Sequence, residues 1–470
     1  MTAPTLHGPL PNTDADHQFN SVRDYDVPLD LAARGFIEEE YFVSGRAAVY
    51  ADDLTVEQQV PYTNRLIVRR PAEGQPASGR VLVEILNPSN GYDAEGLWRR
   101  AWDWILDHGH TYVGFSIKPV TIDALKNYDP VRYAPLSWEL DPNHPHEPVG
   151  ADFAPFNVVE GAEEGLAWDV ITDAGHLLRS AAGEPVLGGR APEPLVLFGQ
   201  SQSAHYLNTW VRHFHAANPG LWDAIVVSVG STLERPLRQQ PMDANGLYAT
   251  VPAEEAAPVS VPTISVLCEG DVNLYRGHGF DIAARPGLGD GPNRRAWCVA
   301  GTGHTEVTSP VMPGNPGIMR AGRKPRHMTP EALAAGNMFP LHPAITAALD
   351  AAVAWIDGHE PPESVFFSVD EADQPVRDAD GNVRGGLRYG LIEHPVATFI
   401  GSPTGGTLGS LELFPRERVL ARYPTVDSYL DAVGAVDRAL AEAGYLNALG
   451  YRQMRDAARE LWTRATAPAD

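Results

Sequence analysis

A mostly parallel α/β sheet with helices on its faces is the fold class this sequence predicts, and three observations carry the prediction. Short β-branched and aromatic runs alternate with helical stretches through the middle of the chain. The later runs are short and mainly apolar, as strands covered on both faces are. Polar turns bound each of them.

Taken in order, residues 41–43 with 47–50, and then 65–69, read as the first strands. Residues 80–86 follow, with a helix expected around Leu97 to Asp107, and 112–116 form the next strand. A long helix is expected from Glu164 to Ala182, leading to the apolar run Pro194-Leu195-Val196-Leu197-Phe198. Three further strands are expected at 224–229, 263–268 and 296–300. Two stretches break the alternation. Residues 119–160 are rich in Pro, Asp, Tyr and His, and residues 231–260 are polar and rich in Pro and Ala; insertions of this kind commonly cap a site. After His304 comes a long tail. It carries a helix at 343–356, the turn Asp378-Ala379-Asp380-Gly381-Asn382, and amphipathic stretches at 426–442 and 453–463. With no internal repeat and no low-complexity linker, the expected organisation is a core over 35–360 with cap insertions, and a C-terminal extension over 361–470 packed on it.

Directly after the run ending at Phe198 stands Gly199-Gln200-Ser201-Gln202-Ser203, and a helical stretch follows from Ala204. A chain passing from buried strand to helix within a few residues must bend sharply, so small side chains are needed on both sides of the apex. Gly199 and Ser203 supply them, although the usual form of such a nucleophile elbow is Gly-x-Ser-x-Gly. Ser201 is therefore the candidate nucleophile. A serine hydroxyl needs a base, and the base needs an acid to hold its tautomer. In chain order, the loops after two later strands offer Cys268-Glu269-Gly270-Asp271 and Gly301-Thr302-Gly303-His304, at the strand ends where open α/β sheets build their sites. His304 is the expected base and Asp271 the expected acid, with Glu269 able to reach the same imidazole. His278, His327 and His342 also follow Ser201, but none directly follows a strand-like run through a glycine-flanked turn. An oxyanion hole would combine the N–H of Gln202 with one from Asn87-Pro88-Ser89-Asn90-Gly91. Pro88 has no N–H, which points to Ser89, with Asn90 next.

The 470 residues are 43% apolar, enough for a sizeable core. Against 36 Lys and Arg stand 60 Asp and Glu, a formal charge of −24, which disfavours nucleic acid and anionic membrane surfaces as partners. No apolar run approaches a membrane span, and the N-terminus lacks the basic-then-apolar build of a secretory signal; the expected location is the cytoplasm. Cys268 and Cys298, the two cysteines, sit in apolar runs and read as buried thiols, with a bridge conceivable if their strands are neighbours. His213-Phe214-His215 and His144-Pro145-His146 lack the companions of a metal motif, so no metal and no cofactor is expected. His205 reads as a packing or surface residue. Tyr128, Tyr133 and Trp138 could line an apolar pocket or pack the first insertion.

Strand, elbow, acid and histidine in this order make the chain resemble a serine hydrolase of the α/β-hydrolase fold. Three longer pieces, Ile37 to Gly45, Val83 to Gly91 and Arg377 to Arg388, resemble the large bacterial alpha/beta hydrolase domain-containing proteins over nearly the whole chain. The resemblance implies one compact unit with carboxylic-ester hydrolase chemistry on a small-molecule ester or lactone. An acyltransferase using the same residues, or a non-catalytic binding protein of the same fold, are the alternatives; substrate identity and oligomeric state stay open.

Overall fold

The computed structural model describes residues 3–230, 232–241, 257–276, 291–306, 311–326, 329–372, 374–401 and 407–468. Among these, eleven strands are formed: β1 (Thr5–His7), β2 (Phe36–Tyr50), β3 (Val56–Pro71), β4 (Val81–Ile85), β5 (Thr111–Phe115), β6 (Leu195–Gln200), β7 (Ala224–Ser228), β8 (Thr263–Cys268), β9 (Arg294–Val299), β10 (Ala397–Ile400) and β11 (Ser410–Leu413). The first nine build one sheet in the order β1-β2-β3-β5-β4-β6-β7-β8-β9. Strands β4 to β9 are parallel to one another, and β1 to β3 pair antiparallel at one side.

Every residue of β4, β5, β6 and β7 is buried, and the pleat sends successive side chains to opposite faces. Leu82, Val196, Phe198 and Val226 enter one core, while Val83, Leu195, Leu197 and Ile225 enter the other. The first core takes helices α1 (Gly96–His108) and, further along, one over His342–Ile356. The second takes α2 (Pro119–Tyr128), α3 (Ala167–Leu178) and α4 (Gln202–His213). Helix α1 starts on buried Glu84, which accepts the N–H groups of Leu97 at 2.8 Å and Trp98 at 3.3 Å and the Tyr112 hydroxyl at 2.7 Å. Burial pushes the Glu84 carboxyl up to about 8.

Several elements differ from the sequence expectation for identifiable reasons. Residues 44–46 do not turn: they pair with 61–63, and β2 and β3 form one long hairpin. Gly45 permits this, since a Cβ there would lie 2.7 Å from the Tyr62 ring and 2.8 Å from the Asp173 carboxylate. The first insertion begins with helix α2, with a proline in its first turn, and the helix expected from Glu164 to Ala182 is a 3-10 turn followed by α3. Most of 231–260 lies outside the described residues.

Hairpin β2–β3 is held to the loop after β4 by buried ions. Arg65 Nε donates to Glu40 at 2.5 Å and Nη1 to Asp93 at 3.2 Å, while Arg69 reaches Glu38 at 2.7 Å and also Glu95. Removing one partner of such a set leaves an uncompensated buried charge, a loss of about 3–5 kcal/mol.

Eight more helices complete the described chain: α5 (Glu269–Arg276), α6 (Asn315–Arg320), α7 (Pro330–Ala335), α8 (His342–Ile356), α9 (Gly390–Glu393), α10 (Arg416–Arg422), α11 (Val426–Glu442) and α12 (Ala448–Thr466). The tail covers the far edge of the sheet. Val365 and Leu387 bridge to β9 in parallel, with Cys298 N–H donating to the Val365 carbonyl at 2.9 Å and Leu387 N–H to the Cys298 carbonyl at 2.7 Å. Met454 and Leu461 of α12 share a core with Leu349 and Ala352 of α8. Among the described residues no helix is long and apolar enough to cross a membrane.

Candidate active site

Ser201 sits between the last residue of β6 and the first of α4, with φ 53° and ψ −124°. That backbone costs a non-glycine residue on the order of 1–3 kcal/mol and persists only where its surroundings enforce it. Here they do. A Cβ on Gly199 would come within 2.9 Å of the Ser203 carbonyl, and one on Gly230 within 2.1 Å of the Ala204 methyl, so the two turns are pressed onto the start of α4. Ser203 is fully buried; its hydroxyl accepts the Gln200 N–H at 2.8 Å and donates to the Gln200 carbonyl at 2.9 Å.

The Ser201 hydroxyl lies 2.9 Å from His304 Nε2, and His304 Nδ1 lies 2.6 Å from Asp271 Oδ1. With a carboxylate against Nδ1, the neutral ring keeps its proton there and leaves Nε2 to accept. Asp271 is fully buried, and its second oxygen accepts the Cys268 N–H at 3.1 Å. The His304 ring is covered edge-on by Tyr275, whose hydroxyl donates to the Val229 carbonyl at 2.7 Å. Glu269 is engaged elsewhere. It accepts the N–H groups of Gly301 and Gly401, each at 3.0 Å, and Arg377 Nη2 at 2.8 Å. It thereby ties the acid loop, the histidine loop and the tail together.

Gln202 is the first residue of α4, so its N–H has no acceptor within the helix. Ser89 departs from expectation: its N–H donates to Asn87 Oδ1 at 2.9 Å, because an Asn two residues earlier closes an Asx turn. The Asn87 side chain is itself fixed by donation to the Gln200 carbonyl at 2.7 Å. Ser89 and Asn90 still line the cavity at Ser201.

Other residues singled out from the sequence fall away from this site. Tyr128, Tyr133 and Trp138 are buried, with the Tyr133 hydroxyl on Glu40 at 2.9 Å and Trp138 Nε1 on Asn64 at 3.2 Å; they pack the insertion. His205 is buried against Tyr275, His215 bonds Ser260, and His144 bonds Asp141. His278 and His327 lie outside the described residues, and His342 bonds Glu306 at 3.0 Å. Cys268 and Cys298 are free and buried, on neighbouring strands in offset register; burial pushes both thiols up, Cys298 to about 12. Among the described residues, Cys268, Asp271 and His304 are near enough to one another to offer a metal three ligand atoms. Asp271 and His304 are already bonded to each other, and the Cys268 thiol is held in its protonated form.

A cavity of about 560 Å³ opens onto Ser201 and His304. Its wall includes residues that sequence reading passed over: Tyr92, Arg99 and Arg100 near the start of α1, and Glu306 and Arg326 further on. The nearest sequence signal was the pair Arg99-Arg100 among the apolar residues at the start of helix α1.

A family model described as alpha/beta hydrolase domain matches residues 6–456. Among solved structures, an α/β serine hydrolase without a lid from Xanthomonas campestris is 11% identical over 48% of this chain and 71% of its own, with a TM-score of 0.24. A cold-adapted esterase from an Arctic intertidal metagenomic library is 15% identical over 56% of this chain and 83% of its own, at 0.28. Brefeldin A esterase, described as a bacterial homologue of human hormone sensitive lipase, is 12% identical over 45% of each chain, at 0.22. These three likenesses are too loose to carry a substrate or a mechanism. No curated protein matches the sequence.

Proposed function

The chain belongs to the α/β hydrolase family, and from that premise we propose that it is a serine carboxylic-ester hydrolase acting on a small-molecule ester or lactone through an acyl-enzyme. The observation that carries this reading is the unbroken line from Ser201 through His304 to Asp271, at 2.9 and 2.6 Å, opening on a cavity. Ser201 Oγ attacks the ester carbonyl while His304 Nε2 takes its proton, and Asp271 holds the imidazole and balances the imidazolium that forms. The tetrahedral oxyanion receives the Gln202 N–H and, since the Ser89 N–H is committed to Asn87, the Asn90 N–H. Collapse expels the alcohol, protonated by His304. Water then adds to the acyl-enzyme with His304 as base, and its collapse releases the acid and returns the proton to Ser201.

The test compares wild type with Ser201→Ala, using a fluorophosphonate and p-nitrophenyl butyrate and following adduct mass and released phenolate. Labelling and turnover by wild type alone support the reading. A folded wild type that shows neither overturns it and turns attention to a binding role.

A further inference from the structure

The wall beside Ser201 differs in charge from the molecule around it. The whole chain is strongly acidic, at a formal −24, yet Arg99, Arg100 and Arg326 all line this one cavity, against the carboxylates Glu95 and Glu306. Both carboxylates are engaged by other groups of the protein. Glu95 is held by Arg69 and by the Tyr25 hydroxyl at 2.7 Å. Glu306 takes Arg100 Nε at 2.8 Å, His342 Nδ1 at 3.0 Å, and the N–H groups of Leu341 and His342. Burial works against its charge, but Arg100 and His342 outweigh it and hold the carboxyl well below the ordinary range.

Several donors on this wall are left over. Arg326 Nη2 donates to Asp26 and to the Pro313 carbonyl, each at 2.6 Å, while its Nε is buried with no hydrogen-bond partner among the described residues. Arg100 Nη1 donates to Gln200 Oε1 at 2.7 Å, but its Nη2 is likewise buried and unmatched. The hydroxyl of Tyr92, a side chain only 2% exposed, lies on the same wall beside the Asn90 side chain. Each buried unmatched donor costs about 1–3 kcal/mol, more where it is charged. Arg99 gives Nη2 to the neutral carbonyl of Glu306 at 2.7 Å, and burial together with the adjacent Arg100 draws its pKa down to about 10. A cluster of cations with spare donors is relieved by an anion, and a guanidinium fits a carboxylate in a two-point contact.

We propose that this wall is an anion subsite in which Arg326, Arg100 and Tyr92 receive a carboxylate carried by the ester or lactone that Ser201 cleaves. The proposal rests on the ester-hydrolase reading and names its substrate class. Proximity supports it: Arg100 holds Gln200, the residue before Ser201, and Arg99 holds Glu306, two residues after His304. A carboxylate on this wall therefore lies within one short molecule of the reacting carbonyl.

The test uses the full chain near neutral pH with monomethyl adipate and its neutral counterpart dimethyl adipate, following proton release. The expected result is a kcat/KM at least ~10-fold higher for the monoanion, with that ratio falling ~10-fold in Arg326→Gln and shrinking as salt is added. Tyr92→Phe, which keeps the ring and removes only the hydroxyl, should lower the ratio by about 3- to 10-fold; it serves if Arg326→Gln does not fold. Binding of the adipate dianion to Ser201→Ala, by calorimetry, is read separately from turnover. Equal rates on the two esters, an unchanged ratio in the variants and no adipate binding overturn the subsite. Adipate binding without turnover of either ester leaves the subsite standing and overturns the esterase reading instead.

Discussion

Ser203 stands where this kind of turn usually has glycine, and its hydroxyl explains how the substitution is accommodated. Both hydrogen bonds go to the backbone of Gln200, so the side chain closes the turn that a glycine would leave open. Ser203→Ala should keep the shape and lose both bonds, lowering stability by about 1–3 kcal/mol in chemical denaturation. The two carboxylates of the acid loop separate by their partners in the same way. Asp271→Asn should leave the melting temperature nearly unchanged and reduce kcat by about 10⁴-fold, through loss of the tautomer that Nδ1–H···carboxylate enforces. Glu269→Gln should instead lower the melting temperature, because Arg377 and two backbone N–H groups lose their charged acceptor. The opposite pattern would make Glu269 the acid of the triad.

Helix α2 and the insertion after it are held by an imidazole between two buried carboxylates. His146 Nε2 meets Asp123 of α2 at 2.9 Å and Nδ1 meets Glu139 at 2.8 Å. The bonds to Asp123 and then Glu139 raise its pKa from 6.5 to about 9, against the opposing effect of burial. A pKa raised on folding means that the charged ring stabilises the native state fully below about pH 6.5, and that this stabilisation is lost as pH rises towards 9. The stability difference between wild type and His146→Gln should therefore be on the order of 2 kcal/mol at pH 6 and shrink by pH 9. A difference that does not vary with pH would mean the ring is neutral throughout.

The tail is part of the same molecule in a structural sense. It covers the β9 edge, shares the core of α8, and supplies Gly401 to Glu269 and the Thr407 carbonyl to the Thr305 N–H at 2.8 Å, next to His304. A chain ending at residue 360 would expose that edge and the apolar face of α8. It should be recovered as aggregate, without fluorophosphonate labelling, rather than as a smaller active hydrolase. A soluble, labelled fragment would show that the extension is dispensable.

The sequence by itself determined the fold class, where the central strands fall along the chain and which residues stand in the elbow turn, because these follow from local patterns: apolar runs of strand length, a sharp turn needing small residues, and loops leaving strand ends. The helix at 426–442 was legible for the same reason, as its amphipathic spacing needs no partner to be recognised. What only the tertiary structure decided depends on groups far apart in the chain. Ser44-Gly45-Arg46 resembles a turn until its pairing with 61–63 is known, and Glu38 and Glu40 look like surface residues until Arg69 and Arg65 bury them. Ser89 looked like a donor until Asn87 took its N–H. The basic cavity wall gathers Tyr92, Arg99 and Arg100 with Arg326, from two stretches far apart in the chain. Periodicity reports which residues are buried, but charge compensation is settled by three-dimensional neighbours, and those are set by the whole packed chain.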